Sequence, residues 1–184
     1  CRLQGHTKEV IGTESRFEGA VGGRATLVAG GDTRAESVRN AFDRLGADPG
    51  DLVCVHDAAR PFVTPAEVLS ILETAVRTGA AIAATPIVDT VKRVERGAAV
   101  ATLDRHSLYA AATPQVFRAE LLERALEFDG EATDEAGPLE RMGVSVAIVP
   151  VSRLAFKITT PEDLEIAEAL LRWRETGYGR RKTK

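Results

Sequence analysis

Hydrophobic residues fall into two alternating patterns along the middle of the chain. Short apolar runs, "ATLVA" at 25–29, "DLVCV" at 51–55 and "AAIAAT" at 80–85, read as buried strands. Between them the spacing becomes helical. In "TRAESVRNAFDRLG", Val38, Ala41, Phe42 and Leu45 recur at i, i+3, i+4 and i+7; Thr33 and Glu36 form a capping box and Gly46 stops the helix. In "TPAEVLSILETAVRTG", Thr64 is the cap, Pro65 suits the first turn, Glu67 completes the box and Gly79 ends the helix. Strands that alternate with helices predict an α/β domain with a mostly parallel sheet.

The pattern then changes. "DTVKRVERGAAVATLD" reads as two strands of mixed polarity around a Glu-Arg-Gly turn, a β-arm over about 87–108. Such an arm protrudes unless something covers it, and a second subunit is the expected cover. "RAELLERALEFDG" and "TDEAGPLERMG" read as helices, the second short and capped, and "VSVAIVPV" as a strand. "FKITTPEDLEIAEALLRWR" reads as a strand ending in "KIT", then a helix capped by Thr160 with Pro161 at its first position and Asp163 completing the box. Residues 1–23 show little periodicity and read as irregular. Residues 24–175 read as a single domain and 176–184 as a basic tail, either a solvated terminus or a segment that binds a phosphate or a partner. A length of 184 residues suits one domain with a sizeable core.

Composition narrows the classes. The net charge of −3 gives no global basic field for nucleic acid. No apolar run approaches the ~18 residues of a membrane span, and no signal peptide is visible. Of the two cysteines, Cys54 lies in an apolar run and is expected to be a buried small hydrophobe. No Cys-x-x-Cys or Cys/His cluster suggests structural zinc. Low cysteine use fits a reducing cytoplasm. The first residue is Cys1 rather than Met, which suggests a fragment of a longer protein.

In an open α/β sheet, ligands bind beyond the carboxyl ends of the strands. After "ATLVA" stand Gly30, Gly31, Asp32, Thr33, Arg34 and Ser37, a glycine turn before a helix N-terminus: either an anion site or an ordinary turn. After "DLVCV" stand His56, Asp57 and Arg60. Asp57 suits Mg²⁺ and Arg60 a phosphate, or the two simply pair with each other; His56 reads as orienting the loop. Asp89, Thr90, Lys92, Arg93 and Arg105 near the arm read mainly as a solvated face. Later come Thr113, the stretch Thr133-Asp134-Glu135, and Lys157, which sits at an apolar strand end where a lysine is costly unless it meets an anion. No Ser-His-Asp or Cys-His arrangement is evident, which disfavours covalent catalysis.

In order, "VAGGDTRAESV", "VHDAARPF", "VDTVKRV", "ATPQVFR", "TDEAGPLERMG" and "FKITTPEDL" make the chain resemble the 2-C-methyl-D-erythritol 4-phosphate cytidylyltransferases over about residues 24–172. The resemblance implies a Rossmann-like nucleotidyltransferase fold and a cytoplasmic homodimer joined through the β-arm. It implies transfer of a cytidylyl group from CTP to methylerythritol phosphate with Mg²⁺, in the non-mevalonate isoprenoid pathway. By motif, Gly30, Gly31, Asp32, Arg34 and Ser37 would serve the cytidine side of CTP. Asp57 would lie by the metal and ribose, with Ala58 beside it. Arg60, Thr90, Thr113 and Thr133 would serve the acceptor, and Lys157 and Arg105 would be catalytic, with Thr90 and Arg105 acting across the dimer. Ribitol 5-phosphate cytidylyltransferase and a non-catalytic dimeric binding protein are the alternatives. The family's N-terminal Gly-rich nucleotide loop has no match in residues 1–23, so weak CTP binding and poor or no turnover are expected of the chain as written.

Overall fold

A computed structural model describes residues 26–128 and 132–176. Their elements, in chain order, are α1 (Arg34–Leu45), β1 (Leu52–Val55), α2 (Pro65–Thr78), β2 (Ala80–Pro86), β3 (Lys92–Glu95), β4 (Ala98–Thr102), a 3₁₀ turn (Arg105–Ser107), β5 (Tyr109–Arg118), α3 (Ala119–Leu126), α4 (Ala136–Arg141), β6 (Ala147–Pro150) and α5 (Pro161–Glu175). Complete capping boxes start α1, α2 and α5, where Thr33, Thr64 and Thr160 exchange hydrogen bonds with Glu36, Glu67 and Asp163.

The main sheet has the order β1-β5-β2-β6. β5 is antiparallel to both β1 and β2, and β6 is parallel to β2. β1, β2 and β6 therefore point the same way and β5 alone runs against them, so the α/β, mostly parallel fold holds. Both faces are covered. Ile82, Phe117, Leu122 and Leu139 pack on one side, and Ile71, Ala75, Ala81, Ala83 and Val116 on the other. The centre of β2 thus has no solvent face, which is why it reads as an unbroken apolar run. β3 and β4 form the expected separate hairpin. Its two-residue turn puts both Arg96 (φ 49°) and Gly97 (φ 82°) in the left-handed region, the geometry that matches the twist of paired strands. At the base of the arm, Ile87 N–H donates to Leu108 O at 3.1 Å.

Four expectations need correction. Residues 26–29 of "ATLVA" form no strand: an apolar run needs a ladder partner, and none of the described strands pairs with it. "FKIT" is likewise not a strand; one backbone bond, Ile158 N–H to Ala59 O at 2.9 Å, replaces a ladder. Among the described residues, β1 has antiparallel β5 as its sheet neighbour rather than a parallel strand. Cys54 is exposed, because the alternation of a strand that is at the edge of the sheet among the described residues turns Val53 to the core and Cys54 away from it. Residues 1–23 and most of the basic tail lie outside the described residues.

Candidate functional site

The site begins where β1 stops. Asp57 N–H donates to Thr113 Oγ1 at 2.9 Å, and His56 Nδ1 shares a hydrogen bond with the same hydroxyl at 3.0 Å. Arg60 N–H returns to Asp57 O at 2.9 Å, closing a tight turn that presents the Asp57 carboxylate. From 100 residues away, Lys157 Nζ comes to 3.1 Å from Asp57 Oδ2, and Arg60 Nε lies 3.4 Å from the same oxygen. The segment that carries Lys157 is held down by the Ile158–Ala59 bond, by Arg60 Nη1 donating to Ala155 O at 3.1 Å, and by stacking of Phe62 on Phe156 with ring centres 5.9 Å apart. Burial by itself raises the Asp57 pKa. The hydrogen bond and charge of Lys157, then those of Arg60, outweigh it and hold the carboxyl below the usual aspartate range. Of the two readings of Asp57 and Arg60, the geometry shows the pairing, in a cleft that also holds a second cation, Lys157.

A second group comes from the start of α1 and the loop before α4. Both terminal nitrogens of the Arg34 guanidinium contact the Glu135 carboxylate, Nη2 donating to Oε2 at 2.8 Å and Nη1 to Oε1. Burial lowers the Arg34 pKa, but the hydrogen bond and charge of Glu135, with Asp57 and Asp134 adding to it, carry it above the ordinary value. Asp134 accepts from Gly137 N–H at 3.0 Å and from Gln115 Nε2 at 3.0 Å.

These groups enclose an open cleft of about 250 Å³ lined by Arg34, Asp57, Arg60, Ala111, Ala112, Thr113, Gln115, Thr133, Asp134 and Lys157. Six residues given a role from the sequence are therefore brought together: Arg34, Asp57, Arg60, Thr113, Thr133 and Lys157. The others stand elsewhere. Ser37 Oγ accepts from Gly31 N–H at 3.0 Å and donates to Thr33 O at 2.9 Å, and Asp32 N–H donates to Glu36 at 2.7 Å. Gly31 is needed for this folded turn, since a Cβ there would sit 2.3 Å from Glu36 Cβ. Gly30 and Ala58 are exposed and outside the cleft lining. Thr90 and Arg105 are exposed at the arm, where Arg105 Nη1 donates to Val88 O at 2.6 Å. Sequence reasoning gave no role to Gln115, Asp134 or Glu135. The acidic pair was visible in "TDEAG", but only folding shows that Glu135 meets Arg34.

Comparison with known proteins bears on the family and the fold of the chain. The profile of the 2-C-methyl-D-erythritol 4-phosphate cytidylyltransferase (IspD) family matches residues 10–173. A protein of that name from Acidobacterium capsulatum is 46% identical over 161 residues, 83% of this chain and 67% of the relative. Another from Solibacter usitatus is 48% identical over 159 residues, 82% of this chain and 65% of the relative. The chain thus spans about two thirds of the length of these curated relatives. The crystal structure of the Thermus thermophilus enzyme superposes with a TM-score of 0.73 at 39% identity, covering 80% of this chain and 73% of that one.

Proposed function

The chain belongs to the 2-C-methyl-D-erythritol 4-phosphate cytidylyltransferase family, and from that premise we propose that it transfers the cytidylyl group of CTP to 2-C-methyl-D-erythritol 4-phosphate in isoprenoid precursor synthesis. A phosphate oxygen of the acceptor attacks the α-phosphorus, the bond from that phosphorus to the bridging oxygen of the β-phosphate breaks, and pyrophosphate leaves. The observation that carries this reading is the convergence of Lys157 and Arg60 on Asp57 in the cleft, with Thr133 in the same lining. Two cations 3.1 and 3.4 Å from one carboxylate oxygen form a pre-assembled phosphate site with Asp57 as a temporary occupant. An acceptor phosphate takes the place of that carboxylate on Lys157 and Arg60, which orient its attacking oxygen. Thr113, bound to Asp57 N–H and His56, sets the height of the turn rather than moving a proton.

Charge balance supports a metal. The cleft cations Arg34, Arg60 and Lys157 are matched by Asp57, Asp134 and the Glu135 partner of Arg34, so the described site has no surplus positive charge for a triphosphate. Asp57 fits a Mg²⁺ ligand: both of its cations approach Oδ2, and among the described residues Oδ1 accepts no hydrogen bond. When bound, Mg²⁺ supplies charge neutralisation for the triphosphate and its leaving group. Asp57 would hold it, and Arg34 with the turn at Gly30–Asp32 would serve the nucleotide side. Thr90 and Arg105 stand outside this cleft, and the uncovered arm that carries them supports a homodimer in which they act on the partner's acceptor. Among the described residues, no helix is long and apolar enough to cross a membrane; a cytoplasmic location fits the low cysteine use.

The test is pyrophosphate release by the purified chain with CTP and Mg²⁺, with methylerythritol phosphate in one reaction and ribitol 5-phosphate in another. Release with the first acceptor alone is expected. Release with the second alone would reassign the acceptor. None with either would favour a non-catalytic binding protein, or a chain that keeps the acceptor half of the site without the triphosphate half.

A further inference from the structure

Glu135 is 4% exposed, and its carboxylate is forked by the Arg34 guanidinium, 101 residues away. Arg34 itself is the first residue of α1, where a cation opposes the helix dipole. A buried carboxylate and a cation at a helix N-terminus are each unfavourable alone, and a fold that keeps both departs from local rules where function departs from them. Among the described residues, the fork takes two of the five guanidinium N–H groups and leaves three, on a side chain 40% exposed that lines the cleft. An unpaired arginine in that position would sweep many rotamers; the buried carboxylate fixes one.

We propose that Glu135 is a positioning residue for the nucleotide: acting through Arg34, it holds the free edge of the guanidinium towards the cytidine triphosphate. This deepens the functional reading above and rests on it. Glu135 touches no substrate, and its effect disappears when Arg34 is gone.

The test is a double-mutant cycle with CTP–Mg²⁺ as the titrated substrate, read by steady-state pyrophosphate release and by calorimetric CTP binding. Glu135→Gln is expected to raise the KM for CTP about tenfold, with kcat and the KM for the acceptor within about twofold. Arg34→Met is expected to raise the same KM at least as far, and the double variant no further than Arg34→Met alone. Glu135→Asp should recover part of the affinity. A merely structural Glu135 would instead lower the active fraction, and with it kcat, at unchanged KM. If Glu135→Gln does not fold, Arg34→Met with Glu135→Leu replaces the ion pair by apolar groups, and its KM should equal that of Arg34→Met. Additive effects in the cycle, or unchanged CTP affinity in a folded Glu135→Gln protein, would overturn the proposal alone. Wild-type chain that neither binds CTP nor releases pyrophosphate would overturn the functional reading and the proposal with it.

Discussion

Lys157 in the cleft and Lys92 on the arm are both exposed lysines with a polar partner, but the partners differ in kind. Lys157 meets Asp57, a carboxylate 100 residues away that Arg60 also contacts. Lys92 meets the Thr102 hydroxyl across its own hairpin at 2.6 Å. The contrast extends to the surroundings. Cleft charges are held by segments that come together only in the folded domain, above a core in which Ile71, Phe117 and Leu122 are fully buried. The arm buries none of the residues of its two strands, and its Arg93–Glu95 pair lies more than half exposed. A two-stranded hairpin without a buried face is marginal by itself. The body therefore specifies the cleft, whereas the arm's own contacts specify a hairpin and leave its Val94 and Val100 uncovered.

The comparison is sharpest at the two lysines. Lys157→Ala is expected to lower kcat/KM by about 10²–10³-fold at nearly unchanged Tm, because the side chain is 45% exposed. Lys92→Ala should leave turnover within about threefold. Parallel rate measurements decide; full activity in Lys157→Ala would remove that residue from the mechanism. Stability divides in the same way. Leu122→Ala empties a fully buried position and should cost about 2–5 kcal/mol in urea unfolding. Val94→Ala, at 58% exposure, should cost under about 0.5 kcal/mol in the isolated protomer. Charges placed on the arm address its cover directly. Val94→Asp with Val100→Asp should convert the proposed homodimer to a monomer in light scattering and lower turnover about tenfold. Persistence of the dimer would show that the arm does not join the subunits.

Local chemistry was legible in the sequence wherever its cause was local. Three Thr-x-x-Glu/Asp caps marked three helix starts, and the turn of the arm followed from Arg96-Gly97. β5, the longest of the described strands, went unread because alanines and Pro114 interrupt its pattern. The structure places that proline in the irregular stretch between two paired runs, Ala111 opposite Ala84 and Gln115 opposite Ile82, where no ladder donor is needed. An apolar run such as "ATLVA" says that a segment can be buried, not what will bury it. At the site, motif order identified Asp57, Arg60 and Lys157 one by one. That Lys157 and Arg60 share one oxygen of Asp57, and that Arg34 is forked onto Glu135, are properties of tertiary distance that spacing in the chain does not carry.

The smallest expected effect tests how the Lys157 segment is tied to the body. Glu67 completes the cap of α2 by accepting from Thr64 N–H at 2.8 Å, and its other oxygen accepts from Ser152 N–H at 2.6 Å, five residues before Lys157. Burial raises the Glu67 pKa; the amide bonds from Ser152 and Thr64 outweigh it, so the folded-state pKa lies below the ordinary glutamate value. A depressed carboxylate pKa contributes stability that is full above the unfolded-state pKa and is lost as pH falls through the folded-state pKa. Wild type should therefore melt slightly above Glu67→Gln at neutral pH, and the gap should close in acid, below the usual glutamate range. Glu95→Gln on the arm removes only the exposed pair with Arg93 and should leave Tm unchanged at neutral pH. A gap for Glu67→Gln that stayed constant down to acid would mean that shape, not charge, holds Ser152 against the helix.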